Sequence, residues 1–382
     1  MSLIACLPAD WRSSTLVGRI QTDAGPTPIV VRGGHVFDVS RHSPTVSQLL
    51  NRWDGTAPAG EDLGPLESLA IARAFDDAAG AVRLLSPADL QCIKAAGVTF
   101  AISAMERVIE ERARGDAGRA ETLRASLRDR IGTDIRAVKP GSASAQRLKQ
   151  ALIDDGLWSQ YLEVAIGPDA EVFTKSPPLS SVGWGDYVGV RSDSAWNNPE
   201  PEVVLACDQS GRVLGATLGN DVNLRDIEGR SALLLGKAKD NNASCAIGPF
   251  IRLFDDAFTL DHVRSTVVQL EITGTDGFRL EGSSSMDQIS RDPTDLVAQT
   301  LCKHHCYPDG FMLFLGTMFA PIIDRGAPGL GFTHKPGDLV RVSSQHLGTL
   351  ENRVTTCDQA PPWTFGIGAL MQNLAQRGLL SQ

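Results

Sequence analysis

Glu200 and Glu202 stand two apart in WNNPEPEVVLACD, residues 196–208, and run straight into the apolar Val203–Val204–Leu205–Ala206. In a strand, residues i and i+2 point to the same side. The two carboxylates therefore share a face and repel each other unless a proton or a cation lies between them. Two readings fit: an exposed strand edge on which Pro201 and the glutamates discourage pairing with other chains, or half of a metal site. The turn Asp208-Gln209-Ser210-Gly211 then leads into RVLGATLGND, which predicts a hairpin. Pairing Cys207 with Arg212 sets Glu202 opposite Thr217 and Glu200 opposite Gly219, with Asp221 just beyond on the same face. Three oxygen ligands with room for water suit a hard divalent cation. With no His or Cys in the set, Mg²⁺ or Mn²⁺ fits better than Zn²⁺.

Two other groups have chemistry in their side chains. In GVTFAISAMERVIEERARG, residues 97–115, Ser103, Glu106, Arg107 and Glu110 fall on one helical face. On spacing alone that stripe reads as a solvated face with charged neighbours one turn apart. Cys302-Lys303-His304-His305-Cys306 offers zinc-type ligands. No second ligand pair stands nearby, so packing cysteines and a polar histidine are the better account, with one histidine free to reach a pocket.

The elements that must position these residues follow from pattern. Residues 1–93 read as a small N-terminal α/β domain, with TLVGRI, PIVVRGG and HVFDVS as strands and ESLAIARAFDD as a helix. A catalytic domain is expected over 94–382. Within it residues 100–155 are helical, broken at Gly132 and Pro140-Gly141, and short β segments run from about 160 to 355. TFGIGALMQNLAQRGLL closes the chain as a helix. The polar SSSMDQISR before Asp292-Pro293 reads as a loop ending in a helix cap, with Ser285 or Arg291 open to substrate contacts. The fold class is α+β with a mainly β catalytic domain. A net charge of −9 argues against nucleic acid or an anionic membrane as the main partner. No apolar run has the length of a membrane span, no secretory signal is evident, and seven scattered cysteines fit reduced thiols. A cytoplasmic protein is expected.

Taken in order, these blocks resemble the fumarylacetoacetate hydrolase superfamily. Its pattern is an E-x-E, about twenty residues, a Gly-Asn-Asp-Val-x-x-Arg-Asp block, then a Lys before Cys-x-x-Gly-Pro. Glu200-Pro201-Glu202, GNDVNLRDIEG around Asp221, and KAKDNNASCAIGP with Lys239 take those places. Phe173-Thr174-Lys175-Ser176-Pro177, Gly316-Thr317, Lys335-Pro336-Gly337-Asp338 and Gly348-Thr349-Leu350-Glu351-Asn352 resemble its flanking blocks. The resemblance implies a mixed β-sandwich roll, a Mg²⁺ (or Mn²⁺) ion on Glu200, Glu202 and Asp221, a 2-oxo acid substrate, and a homo-oligomer (dimer or tetramer). It gives Gly316 and Thr317 the substrate carboxylate, and leaves Lys175 either at the pocket or pinning a loop.

Hydrolytic members carry a lid motif N-Y-x-x-H-x-x-E. Here Phe100, Ser103 and Glu106 take the Tyr, His and Glu positions. Serine is no general base near neutral pH. The chain is thus similar to the sugar-acid dehydratases of the superfamily. That implies conversion of 2-keto-3-deoxy-D-xylonate (equivalently D-arabinonate) into 2,5-dioxopentanoate. By the same resemblance Lys239, its pKa lowered beside a dication, is the base or proton shuttle, with Glu106 as leaving-group acid or second base. A C–C hydrolase of a 2,4-diketo acid and a non-catalytic 2-oxo acid binder are the alternatives.

Overall fold

A computed structural model describes residues 2–76, 82–123, 138–318, 321, 323–326 and 328–380. Strands β1 (Leu16–Thr22), β2 (Gly25–Arg32), β3 (His35–Asp38) and β4 (Glu61–Pro65) form an N-terminal meander. Helix α1 (Val46–Asn51) interrupts it. After it come β5 (Arg83–Leu85), β6 (Cys92–Gly97), the helices α2 (Ala101–Ala113), α3 (Ala143–Asp154) and α4 (Gln160–Ile166), and β7 (Glu171–Ser176). Then follow β8 (Tyr187–Val190), β9 (Asn197–Asn198), β10 (Pro201–Cys207), β11 (Val213–Asp221) and β12 (Asn223–Leu224). Two short helices, α5 (Arg225–Glu228) and α6 (Leu235–Lys239), precede β13 (Cys245–Leu253). The rest comprises α7 (Leu260–Ser265), β14 (Val267–Thr273), β15 (Arg279–Ser285), α8 (Pro293–Thr300) and β16 (Phe311–Phe314). Last come β17 (Leu339–Ser344), β18 (Gly348–Thr356) and α9 (Ile367–Gln376).

One large sheet runs β4-β3-β2-β1-β13-β11-β10-β16-β6-β7, with β5 also paired to β1. A five-stranded sheet runs β15-β14-β17-β18-β8, and β12 pairs with β9. The strand alternation explains the layering. Val203, Leu205, Leu218 and Phe250 point from the large sheet into a core shared with Leu270, Ile272, Val340 and Val342 of the smaller one. Val204, Ala206, Met312 and Phe314 point the other way, into a core closed by Leu49 and Leu50 of α1. A third apolar cluster joins Ala104, Val108 and Ile109 of α2 to Tyr161 and Leu162 of α4 and to Trp196. The architecture is sheet-dominated, as expected.

Three expectations change. Residues 1–93 do not form a sheet of their own: β1 pairs with β13, Leu16 opposite Arg252 and Val17 opposite Ile251, and the expected boundary falls inside β6. Among its described residues, the stretch expected as a helix from Glu67 holds only the 3-10 turn Leu66–Ser68. Arg73 in that stretch pairs locally with Asp76 at 2.8 Å and reaches Glu351 across the fold at 2.7 Å. That tertiary contact overrides the helix-forming Ala, Leu and Arg of the segment. The break placed at Gly132 lies outside the described residues. Cys302 and Cys306 are exposed, so they are not packing cysteines. They sit on a tight turn closed by Cys302 and His305, and the His305 ring stacks on Tyr307 with centroids 4.5 Å apart. Neither belongs to a cluster of three metal-ligating side chains among the described residues.

Candidate metal centre and active site

The β10–β11 hairpin brings the acids together in a register two residues from the expected one. Asp208 N–H donates to the Arg212 carbonyl at 3.1 Å, Cys207 lies opposite Val213, and a bulge at Ala206/Cys207 sets Ala206 opposite Gly215. Glu202 therefore faces Gly219 rather than Thr217. The wider turn and the bulge each add one residue. Together they restore the face, because side chains alternate with period two. A Cβ at Gly219 would collide with Phe314 and Val204, so glycine is required beside Glu202. The Asp221 N–H donates to the Glu200 carbonyl at 3.0 Å, which locks the hairpin's open end.

Glu200, Glu202 and Asp221 are all buried, and one ligand oxygen from each lies within 4.8 Å of the others. Gly316 N–H donates to Glu202 Oε2 at 2.7 Å, and the Thr317 hydroxyl donates to Oε1 at 3.3 Å. The expected substrate-binding pair thus orients a candidate ligand. Lys239, at the end of α6, pairs with Glu200 and with Asp221 Oδ2 at 3.0 Å. Lys175 lies on the other side of Asp221, 2.8 Å from Oδ1. Its ammonium also donates to the carbonyls of Lys239 and Val222 and to the Ser244 hydroxyl. Fully enclosed by these acceptors, Lys175 pins Asp221 and does not present itself to a substrate.

The helical face carrying Ser103, Glu106, Arg107 and Glu110 is buried, not solvated. Arg107 donates to Glu110 at 2.8 Å and Glu200 at 2.6 Å and pairs with Glu228 at 2.6 Å, while Arg225 reaches Glu110 at 3.1 Å. Arg107, Glu110, Arg225 and Glu228 had no assigned role from sequence. The signal was in the block quoted, since Arg225 and Glu228 belong to LRDIEG.

Glu171 was also missed. It heads β7 opposite Gly97, where a Cβ would collide with its carboxylate. Glu171, Phe173 and Lys175 alternate along the strand, and the Phe173 ring lies 5.8 Å from the Lys239 ammonium. That alternation was readable beside Lys175. Ser285, by contrast, caps a 3-10 turn, its hydroxyl accepting from Asp287 N–H at 3.4 Å. Arg291 caps the end of α4, donating to the Val164 and Gly167 carbonyls at 2.8 Å each. Both side chains serve the scaffold, not the acid cluster.

The electrostatics separate the acids. Burial pushes Glu200 up, but Lys239 and Arg107 outweigh it and hold its carboxyl down at about 2. Burial, Asp221 and Glu200 all push Glu202 well above the ordinary carboxylate range. Burial raises Glu228 to about 7 against the pull of Arg107 and Lys239. It raises Glu171 too, against the same two cations. Burial would lower Lys239, yet Asp221, Glu200 and Glu228 win and hold its ammonium charged. The lowering expected for Lys239 is tied to a neighbouring dication, whose charge would add to the downward push of burial and Arg107.

Among the described residues six buried acids (Glu106, Glu110, Glu200, Glu202, Asp221, Glu228) and four buried cations (Arg107, Lys175, Arg225, Lys239) stand in this region, with Glu171 beside them. The interior is left short of positive charge, and the shortage is felt at Glu202. An oxygen-only set of this kind fits a hard divalent cation.

Residues 203–355 match the family model described as fumarylacetoacetate (FAA) hydrolase C-terminal. The chain carries a fumarylacetoacetate hydrolase family domain. It is 33% identical over 180 residues to the 2-dehydro-3-deoxy-D-arabinonate dehydratase of Saccharolobus solfataricus, covering 47% of this chain and 57% of that protein. Over 196 residues it is 31% identical to a probable 2-keto-3-deoxyxylonate dehydratase of Haloferax volcanii, covering 51% and 64%. The match thus spans less than two thirds of either relative. Among solved structures, a 2-keto-3-deoxy-D-arabinonate dehydratase complexed with magnesium and 2,5-dioxopentanoate aligns with a TM-score of 0.61 at 21% identity. That alignment covers 90% of this chain and 99% of that one. The fumarylacetoacetate hydrolase of Exiguobacterium antarcticum aligns at 0.57 with 17% identity, over 90% and 100%. At such identities the likeness shows the fold. The sandwich roll inferred from sequence is the one observed.

Proposed function

We propose that the protein is a Mg²⁺-dependent dehydratase converting 2-keto-3-deoxy-D-xylonate (2-keto-3-deoxy-D-arabinonate) into 2,5-dioxopentanoate and water. The observation that carries this reading is the buried triad Glu200, Glu202 and Asp221, held beside a charged Lys239 and reached by Arg107 of the helix that also carries the buried Ser103. Two relatives with dehydratase names and 31–33% identity support the choice of reaction. Bound by the three carboxylates, a divalent cation supplies Lewis acidity that makes the hydrogens beside a 2-oxo group removable.

The chain's own residues handle the protons. Loss of a C3 proton and the C4 hydroxyl gives water and an enone. Loss of a C5 proton with protonation at C3 gives an enol, and transfer of the enol O–H proton to C4 yields the aldehyde. Lys239, held charged between Glu200 and Asp221, is the proton donor and steers the substrate carboxylate. Glu171 has a carboxyl raised by burial and sits beside that lysine, which suits it to exchange protons with the substrate. Glu106, buried on α2, serves the leaving hydroxyl. The hydrolytic alternative would need a water-activating base where Ser103 stands. The seven unpaired cysteines suit a cytoplasmic setting, and a homo-oligomer is expected from the family resemblance. No helix among the described residues is long and apolar enough to cross a membrane.

The test is incubation with 2-keto-3-deoxy-D-xylonate, following product by NMR, with Mg²⁺ and with EDTA. We expect the semialdehyde only with Mg²⁺. Its absence in both arms rejects the dehydratase reading.

A further inference from the structure

We propose that Arg107 is a positioning residue that ties the seating of α2 to the Glu200 carboxylate, so that cation binding and docking of α2 favour one another. This rests on the cation reading above. Arg107 forks to three carboxylates on three elements: Glu110 of its own helix, Glu228 of α5 and Glu200 at the head of β10. Arg225 returns from α5 to Glu110, and its guanidinium lies 5.3 Å from the Trp196 ring. The opposite face of α2 packs through Ala104, Val108 and Ile109 onto the helical cluster. On the side facing the acids, α2 is therefore held by buried charges, which dock well only when each partner is in place.

Glu200 is shared. Its Oε1 accepts from Arg107 and its Oε2 from Lys239. A cation on the cluster would restrict this carboxylate, and a restricted acceptor lowers the entropy lost when α2 docks onto it. Coupling of this kind is reciprocal. Ser103 and Glu106 ride on the same helix, one turn from Arg107 and beside it, so their placement follows the acid cluster.

The experiment is hydrogen exchange of the full chain with and without Mg²⁺, alongside calorimetric titration of Mg²⁺. In the natural protein, saturating Mg²⁺ should slow exchange in peptides covering 103–113 by about fivefold or more, the low end of measured couplings. In Arg107→Met the titration should still register binding and β10–β11 should still be protected, while the slowing in α2 disappears. Arg107→Lys keeps the charge without the fork and should behave as the Met variant does, which covers the case in which Arg107→Met does not fold. Equal slowing of α2 in natural protein and variants overturns the coupling. So does Mg²⁺ binding to the natural protein without slowing of α2. No binding to the natural protein at all overturns the cation reading and the coupling together.

Discussion

On Glu202, burial and the neighbouring carboxylates push the same way. It is buried, faces Asp221 and Glu200, and is eased by Lys239, the Gly316 N–H and the Thr317 hydroxyl. Glu202→Gln keeps the shape and removes the charge. In EDTA this variant should melt at or above the temperature of the natural protein, because repulsion has been removed. It should also lose the stabilisation that Mg²⁺ confers, about 2.7 kcal/mol at a hundredfold excess over Kd. Thermal melts with and without Mg²⁺ decide this, and a fall in EDTA argues against the repulsion account. Glu171→Gln leaves the triad intact. It should lower kcat by about 10²–10⁴, the usual worth of a positioned acid or base, with calorimetric Mg²⁺ binding unchanged.

Elements deliver these residues, and their ends are held by side chains named above as bystanders. Asp292 caps α8 with Pro293 in the first turn, as the sequence predicts, accepting from Thr294 N–H at 2.8 Å. Its neighbour Arg291 is buried and ties this segment to the carbonyls ending α4, which backs α2. Arg291→Ala strands those carbonyls and should destabilise the protein by about 1–3 kcal/mol. The activity of the remaining folded protein should be little changed. Denaturant melts paired with kcat separate that from a substrate contact, which would lower activity at constant stability. The hairpin teaches the same lesson. A five-residue reversal and a bulge were not legible in Asp-Gln-Ser-Gly, yet the face of the acids was, since two single-residue errors leave a period-two pattern in phase.

For the whole molecule, pH dependence is set partly by groups outside the site. Burial raises Asp186 to about 6, against the Gly183 N–H and Arg83. A carboxyl raised in the folded state contributes stability that is fully present below its unfolded value, near 4, and is lost as pH climbs through 6. Asp186→Asn should remove that loss, worth about 1–3 kcal/mol, so the variant gains on the natural protein between pH 4 and 7. Urea melts at pH 4.5 and 7 test the sign, and a variant that gains equally at both pH values would contradict it.

The sequence by itself determined the chemistry on offer. Alternation placed Glu200 and Glu202 on one face, a hairpin returned Asp221 to them, and the ordered blocks resembled the family whose domain model matches residues 203–355, which pointed to Lys239. Those signals are local or nearly so, and survive without knowing which strand lies beside which. Only the tertiary structure decided what each charge does. Lys175 turned inward onto Asp221, Gly316 and Thr317 turned onto Glu202, and Arg107 joined three carboxylates far apart in the chain. It also merged the N-terminal strands into the large sheet by way of β13. The reason is electrostatic and steric. Whether a charged side chain is solvated or buried, and which partner makes burial tolerable, depends on contacts across the fold that no periodicity in one segment records.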